Sequence, residues 1–455
     1  MNKYDIVIIG SGPGGYPLAT LLAKKGKKVA LIEKDQLGGT CINVGCIPKK
    51  SLVKTAYVLD TISHSQKFGV ETNLVNIDIK AIQNRRQLIK QKMNNNVKNQ
   101  LNLANVDIYN GTAKLIDQNT LIVNEQQIQF DKAILATGAK SREIDLPGAN
   151  KAREKNFLIN SNQALIIDEK VESLTIIGSG PVALEFAYIY STLGTKVTIL
   201  DVNEFMGKHD IELLSAIKQY LTNRNIEIID NAKLIKFDEN ELFYNSNGQE
   251  KSIKSSKILS AIGRVANLEA IGNVGIELNE KGFIKVNDSM QTNIKNIYAL
   301  GDATGLMMLS SVAYKTSDII AKHILGHEFE TLNTNFVPWS IYLNPEISGV
   351  GQSEKELTAK NVEFEAIVFN ASSLPGNLAN GSINEFDFIK FLIDKKTGLI
   401  LGAQMFLEGS SLIINQIAQA MQMGIKFADL QKFTFTHPTV TEAIYYLSKA
   451  HYFAK

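Results

Sequence analysis

The only two cysteines in this chain stand five residues apart in the run Gly38-Gly39-Thr40-Cys41-Ile42-Asn43-Val44-Gly45-Cys46-Ile47-Pro48-Lys49-Lys50. In a regular α-helix, positions i and i+5 lie roughly 8 Å apart at Cα, beyond the reach of an S–S bond. A bridge therefore demands distorted backbone, which Gly45 permits, and a small strained ring is readily reduced. Pro48 suits the first turn of a helix predicted from about Lys49 to Ile62. That helix sets Cys46 near the positive end of a macrodipole beside two lysines, and both features favour a thiolate. Two thiols with no second pair and no nearby histidine do not complete a tetrahedral metal site. The chemistry indicated is electron transfer through a disulfide.

His437 is the second candidate. It precedes Pro438, and Glu442 follows five residues later near a predicted helix start. A carboxylate beside an imidazole fixes its proton-accepting tautomer and raises its basicity, as a general base requires. Taken alone, such a histidine is more often a satisfied loop residue; the company of a dithiol reverses that weighting.

Both candidates must be positioned by something, and glycine-rich turns supply the frame. Tyr4 to Ile9 reads as a strand, GSGPGG as a turn, Leu18 to Lys24 as a helix, and Lys28 to Ile32 as a second strand ending at Glu33. In this βαβ unit Gly10 makes the tight turn, Gly12 lets backbone approach a pyrophosphate, and Gly15 allows close helix packing. Glu33 is placed to bind ribose hydroxyls. The pattern recurs: Leu174 to Ile177, then Gly178-Ser179-Gly180-Pro181-Val182-Ala183, a helix through Tyr190, and Lys196 to Leu200 ending at Asp201. Glycine and acid are separated by the same interval in both copies, so two dinucleotides are expected.

Ala133 to Ala139 and Ile258 to Arg264 read as matching buried strands ending in turns. Ile77 to Leu103 has the spacing of one or two amphipathic helices. After Val337 the pattern changes to strands at Phe386 to Ile393 and Leu399 to Phe406, with helices at Ser411 to Met423 and Thr441 to Ala450. The fold class predicted is α/β: two Rossmann-type dinucleotide-binding domains and a C-terminal α+β dimerisation domain. The expected division is an FAD-binding and central domain (1–145 and 265–335), an NAD-binding domain (146–264) and an interface domain (336–455). With 455 residues, 44% hydrophobic and 21% charged content and a formal charge of +2, no polyanion partner such as nucleic acid is implied. The run Ile6 to Ile9 is too short for a signal peptide, and no stretch reaches transmembrane length. A cytoplasmic protein without membrane association is expected.

These motifs, in this order, resemble the class I pyridine nucleotide-disulfide oxidoreductases, the flavoprotein disulfide reductases that include dihydrolipoyl dehydrogenase, glutathione reductase and mercuric reductase. The resemblance covers essentially the whole chain, through the fingerprints, the GGTCxNxGCxPxK dithiol, Ala136-Thr137-Gly138, Ala261-Ile262-Gly263-Arg264, Tyr298 to Asp302 and His437 to Glu442. It implies FAD on Gly10, Gly12, Pro13, Gly15, Glu33, Lys34, Gly39, Thr40, Thr112, Ala113, Thr137, Gly138, Arg264, Gly301 and Asp302, with Leu309 and Ala313 nearby. It implies NAD on Gly178, Gly180, Pro181, Val182, Glu185, Asp201 and Gly263. Lys49 or Lys50 would pair with Glu185 beside the flavin, and the choice between them stays open. Cys46 would be the thiolate facing the flavin and Cys41 the thiol that exchanges with substrate. His437, held by Glu442, would be the base contributed across a homodimer.

Asp201 accepts hydrogen bonds from a ribose diol and repels a 2′-phosphate, which favours NAD(H) over NADP(H). Lys49-Lys50 is a spelling more typical of glutathione reductases, yet Thr20 and Asp318 stand where those enzymes carry arginines for peptide carboxylates. The C-terminal cysteine pair of mercuric reductases is absent. The substrate expected is a small dithiol, dihydrolipoamide above all, and the alternative is NADH-dependent reduction of a low-molecular-weight disulfide. A flavin-binding redox sensor is the non-catalytic alternative. Three departures from the dihydrolipoyl dehydrogenase pattern are Pro181, Phe435 and Ser311. No lipoyl domain precedes Met1 to Gly15, so any link to a 2-oxoacid dehydrogenase complex is expected through free encounter or a partner.

Overall fold

The computed structural model describes residues 2–454 apart from Lys208 and Ile383; the outer limits 1 and 455 of the expected division lie outside the described residues. Strand β1 (Asn2–Ile9) carries Ile6, Val7, Ile8 and Ile9, all buried, as a strand covered on both faces must. It leads through the first glycine turn into α1 (Gly15–Lys24) and then β2 (Val29–Glu33), which pairs parallel to β1. Next come α2 (Gly39–Asn43), α3 (Cys46–Ser63), the single long α4 (Ile79–Leu103) and β3 (Asp107–Asn110). Asp78 caps α4 by accepting a bond from the Ala81 amide at 2.9 Å. β4 (Ala113–Leu115), β5 (Thr120–Val123) and β6 (Gln126–Leu135) complete a sheet of order β3-β2-β1-β6-β5-β4. Its seventh strand, Ile297–Ala299, pairs parallel to β6 from more than 150 residues away, because a second unit is inserted between them.

That second unit is a five-stranded parallel sheet: Glu227–Ile229, Lys196–Leu200, Ser173–Ile177, Lys257–Ser260 and Leu158–Asn160, in that order. An antiparallel meander, Ala232–Asp238, Glu241–Ser246 and Gln249–Lys254, is attached to it. The chain leaves the first unit along Ala139–Ser141 and returns along Arg264–Ala266. These two passages pair antiparallel, which ties the inserted unit to the first.

The C-terminal region is a five-stranded antiparallel sheet built from Trp339–Ile341, Ile347–Gly351, Ile400–Phe406, Phe388–Asp394 and Phe364–Asn370. Helices Ser410–Gln422 and Glu442–Phe453 bury Ile414, Ile417 and Ile444 against Phe391, Met405 and Phe427. Among the described residues, no helix is long and apolar enough to cross a membrane.

One local expectation is corrected. α3 starts at Cys46, three residues before the predicted boundary, because the Lys49 amide already bonds the Gly45 carbonyl at 3.1 Å and Pro48 sits within the first turn.

Candidate active site

Both glycine fingerprints are built alike. Gly10 (φ +104°) and Gly178 (φ +105°) each follow a central strand, and a Cβ there would strike the Ala136 carbonyl oxygen at 2.3 Å or the Ala261 oxygen at 2.6 Å. Only glycine lets the two loops come that close. At Gly12 and Gly180 a Cβ would meet nothing within 4 Å, so the backbone faces open space at the helix N-terminus in both copies. Ser11 donates to Glu33 Oε2 from its amide at 2.9 Å and its hydroxyl at 2.6 Å, and Ser179 donates to Asp201 Oδ2 at 2.5 Å. The serine inside each GSG turn thus aims the acid at the strand's end. This role went unassigned in the sequence, although the shared spelling GSG was the available signal.

Some of the remaining expected cofactor residues pack against the first of these turns or its acid. Gly39 packs so tightly on Gly12 that a Cβ would lie 2.6 Å from its Cα, and Thr40 follows at the start of α2. The Gly111 amide bonds the Glu33 carbonyl at 2.8 Å, which brings Thr112 and Ala113 beside the acid. Thr137 and Asn267 exchange bonds at 2.8 and 2.9 Å, fixing the turn at Gly138. Gly301 backs onto Ala313, whose helix Ser310–Leu325 is preceded by Leu309. Burial pushes the Asp302 carboxyl up while Arg264 pulls it down. Lys34 is drawn outward, its ammonium 3.0 Å from Glu269. Pro181 and Val182 open the helix Pro181–Thr192.

Arg264 donates to the Ala139 carbonyl, yet its Nε is buried without a protein partner. With the open faces of Gly12, Gly138, Gly180 and Gly263, this orphaned donor fits two extended dinucleotides, one on each unit.

The dithiol lies on α2 and α3 of the first unit. Both cysteines are free, Cys41 half-buried and Cys46 exposed. The helix is broken at Gly45, where a Cβ would lie 2.8 Å from the Thr40 carbonyl oxygen, so the two cysteines do not share one regular helix. A hydrogen bond from the Cys41 thiol, helped by the Ser310 hydroxyl at 3.5 Å and the Lys49 ammonium, brings Cys46 down to about 6 against opposing desolvation. The same hydrogen bond and burial push Cys41 up. The pair is therefore polarised, with the thiolate at the start of α3.

Lys49 is the lysine that pairs with Glu185. Lys50 turns away, its Nζ 3.2 Å from Glu346 and 3.3 Å from the centre of the Tyr342 ring. The Tyr342 amide bonds Glu185 Oε1 at 2.9 Å, so the C-terminal region also buttresses this carboxylate. Ser310, Tyr342 and Glu346 carried no sequence signal, because each reaches the site from a distant segment.

His437 forms a second cluster. Its Nδ1 lies 2.9 Å from Glu442 Oε1 and 3.1 Å from Oε2, while the Thr439 amide bonds Oε2 at 2.8 Å. These bonds, the Thr439 amide first, hold the Glu442 carboxyl below the usual range. Among the described residues, His437 makes no hydrogen bond to Cys41 or Cys46 of its own chain. Its side chain is 66% exposed on the C-terminal region.

Comparison with known proteins matches residues 4–317 to the family described as pyridine nucleotide-disulphide oxidoreductase and residues 337–447 to that family's dimerisation domain. Dihydrolipoyl dehydrogenase of Mycoplasma pneumoniae is 33% identical over 449 residues, covering 97% of each chain. That of Geobacillus stearothermophilus is 31% identical, covering 96% of this chain and 94% of the relative. Among solved structures, a Cu(II) complex of the HOCl-induced flavoprotein disulfide reductase RclA from Escherichia coli has a TM-score of 0.87 at 28% identity, covering 99% of this chain and 100% of that one. LpdA from Mycobacterium tuberculosis has the same score at 23% identity, with the same coverage, and shows the fold.

Proposed function

The chain belongs to the pyridine nucleotide-disulphide oxidoreductase family, whose members use FAD and NAD(H), and we propose that it oxidises a small dithiol, dihydrolipoamide or a close analogue, with NAD+ as the final acceptor. It is a flavoprotein disulfide oxidoreductase with a dimerisation domain. The thiol substrate, the residue roles and the homodimer with a shared site are our reading.

In the oxidised enzyme Cys41 and Cys46 form the bridge. His437 of the partner subunit takes a proton from the substrate dithiol, with Glu442 holding Nδ1 so that Nε2 is the accepting atom. The substrate thiolate attacks Cys41 and the Cys41–Cys46 bond breaks. Cys46 leaves as a thiolate, which its lowered pKa favours. The second substrate thiol then displaces Cys41 and passes its proton to the departing Cys41 sulfur, releasing the cyclic disulfide and leaving Cys41 as a thiol beside the Cys46 thiolate. FAD, when bound, would supply a two-electron relay between the reduced pair and NAD+. Thr40, Gly39 and the Gly12 turn would hold FAD, and the Gly180 turn with Asp201 would hold NAD.

One observation carries the reading: the polarised dithiol sits at the Lys49–Glu185 junction of two nucleotide-binding units. Relatives named dihydrolipoyl dehydrogenase over nearly the whole length support the lipoyl substrate, as does the lack of a cation at Thr20 and Asp318 for an anionic peptide. Steady-state assays of the Cys46→Ser enzyme test the route, with dihydrolipoamide oxidation by NAD+ expected to fall to background. Full activity in that variant would refute it, and faster turnover of another disulfide with NADH than of lipoamide would transfer the assignment to the reductase alternative.

A further inference from the structure

The Glu442 carboxylate has more donors than a simple histidine–carboxylate pair would give it. Oε2 accepts from the Thr439 amide and faces His437 Nδ1. Oε1 faces the same nitrogen at 2.9 Å and also accepts from the Tyr446 hydroxyl at 3.1 Å. Tyr446 lies one turn after Glu442 on the helix Glu442–Phe453, so the two side chains meet on one helix face. The phenol is raised by this contact and stays a donor.

We propose that Tyr446 is a positioning residue that tunes His437 through Glu442. Tyr446 Oη and His437 Nδ1 compete for one oxygen, Oε1 of Glu442. A phenol donating to Oε1 withdraws charge from the carboxylate and so weakens its pull on the Nδ1 proton. It also fixes the carboxylate's plane, and with it the direction in which Nε2 points. The other titratable groups around this corner are engaged elsewhere. Tyr445 accepts from Lys449 at 3.2 Å, Asp429 and Lys432 of the packed segment Phe427–Lys432 bond each other at 2.7 Å, and His451 faces Glu365 at 3.5 Å. Tyr446 is therefore the neutral side-chain donor that sets Glu442's hold on the imidazole.

The inference rests on the reading of His437 as the base, and its test separates the two. Tyr446→Phe removes one oxygen atom and keeps the ring. In the FAD-loaded enzyme, the acid limb of kcat/KM for dihydrolipoamide should move up by about half a pH unit, a fraction of one hydrogen bond to a charged group. A titration of 13C-labelled histidine, with His437 assigned by its loss in His437→Gln, should show the same upward shift without reference to activity. In a Glu442→Gln background Tyr446→Phe should shift nothing further. An unmoved His437 titration in Tyr446→Phe, or an equal shift in the Glu442→Gln background, would overturn the proposal. Full activity of His437→Gln would instead remove the base reading while the titration still judged the Tyr446 contact.

Discussion

Lys49 and Glu185 form an ion pair that joins the first turn of α3, in the first nucleotide unit, to the helix Pro181–Thr192 of the second. The same ammonium contributes to the lowered pKa of Cys46. Lys49→Met should therefore raise the Cys46 pKa from about 6. A thiolate forms as pH rises through its pKa, so at pH 7 the parent's reduced thiol reacts with iodoacetamide near its limiting rate and the variant's reacts more slowly. Alkylation rates of the reduced enzyme between pH 5 and 9 check this, and an unmoved midpoint would place the cause of the shift in the hydrogen bonds from Cys41 and Ser310.

Local signals made much of this site legible. The period-two and buried apolar runs, the GSG turns and the acids at Glu33 and Asp201 are set by neighbours in sequence, and so is Glu442's reach back to His437. What escaped depends on tertiary placement. Lys49 and Lys50 are adjacent on one helix and chemically alike, and only the approach of the Pro181–Thr192 helix and of Glu346 assigns each its partner. The start of α3 is predicted at about Lys49, after Pro48, whereas the helix opens at Cys46 with Gly45 as its cap. The meander from Ala232 to Lys254 went unrecognised, since the solvent-facing strand Gln249–Lys254 is almost wholly polar and lacks an apolar period.

Asp60 is buried near the far end of α3 from Cys46 and accepts from Arg224 Nη2 at 2.5 Å, Tyr188 Oη at 3.0 Å and Asn344 Nδ2 at 3.1 Å. One carboxylate thus binds segments of the second unit and the C-terminal region to the helix that carries the dithiol. Arg224→Met should destabilise the protein by about 3 kcal/mol, because a buried carboxylate loses its counter-charge. Tyr188→Phe should cost about 1 kcal/mol, since the charge pair survives. Urea unfolding midpoints distinguish the two, and equal losses would contradict the ranking.

Asp201 receives the Ser179 hydroxyl and the Asn203 amide, the latter at 3.0 Å, and so is held at the end of its strand with its charge in place. A 2′-phosphate brought there meets that charge directly. Asp201→Ser should narrow the ratio of NAD+ to NADP+ turnover on the order of tenfold, mainly through KM for NADP+. Steady-state rates with both nucleotides read this ratio, and an unchanged value would mean that cofactor choice is made elsewhere.

Lys390 is 1% exposed, and three carboxylates converge on it: Asp210 at 3.3 Å, Glu212 at 2.5 Å and Glu354 at 2.7 Å. Asp210 and Glu212 begin the helix Ile211–Asn223 of the second unit and Glu354 begins the helix Glu354–Ala359, so the lysine holds the second unit to the C-terminal sheet. Burial already raises the Asp210 carboxyl, with Lys390 pulling it back. Replacing Lys390 by Met removes that pull and leaves like charges facing one another, so the Asp210 carboxyl rises further above its unfolded value. A carboxyl raised in this way costs stability once pH exceeds its unfolded pKa, and the cost fades as pH falls back through the folded value. Lys390→Met should therefore be less stable than the parent by about 3 kcal/mol at pH 7.5 and show a smaller deficit at pH 5. Urea unfolding of both proteins at the two pH values measures this, and a deficit independent of pH would assign the loss to packing rather than to charge.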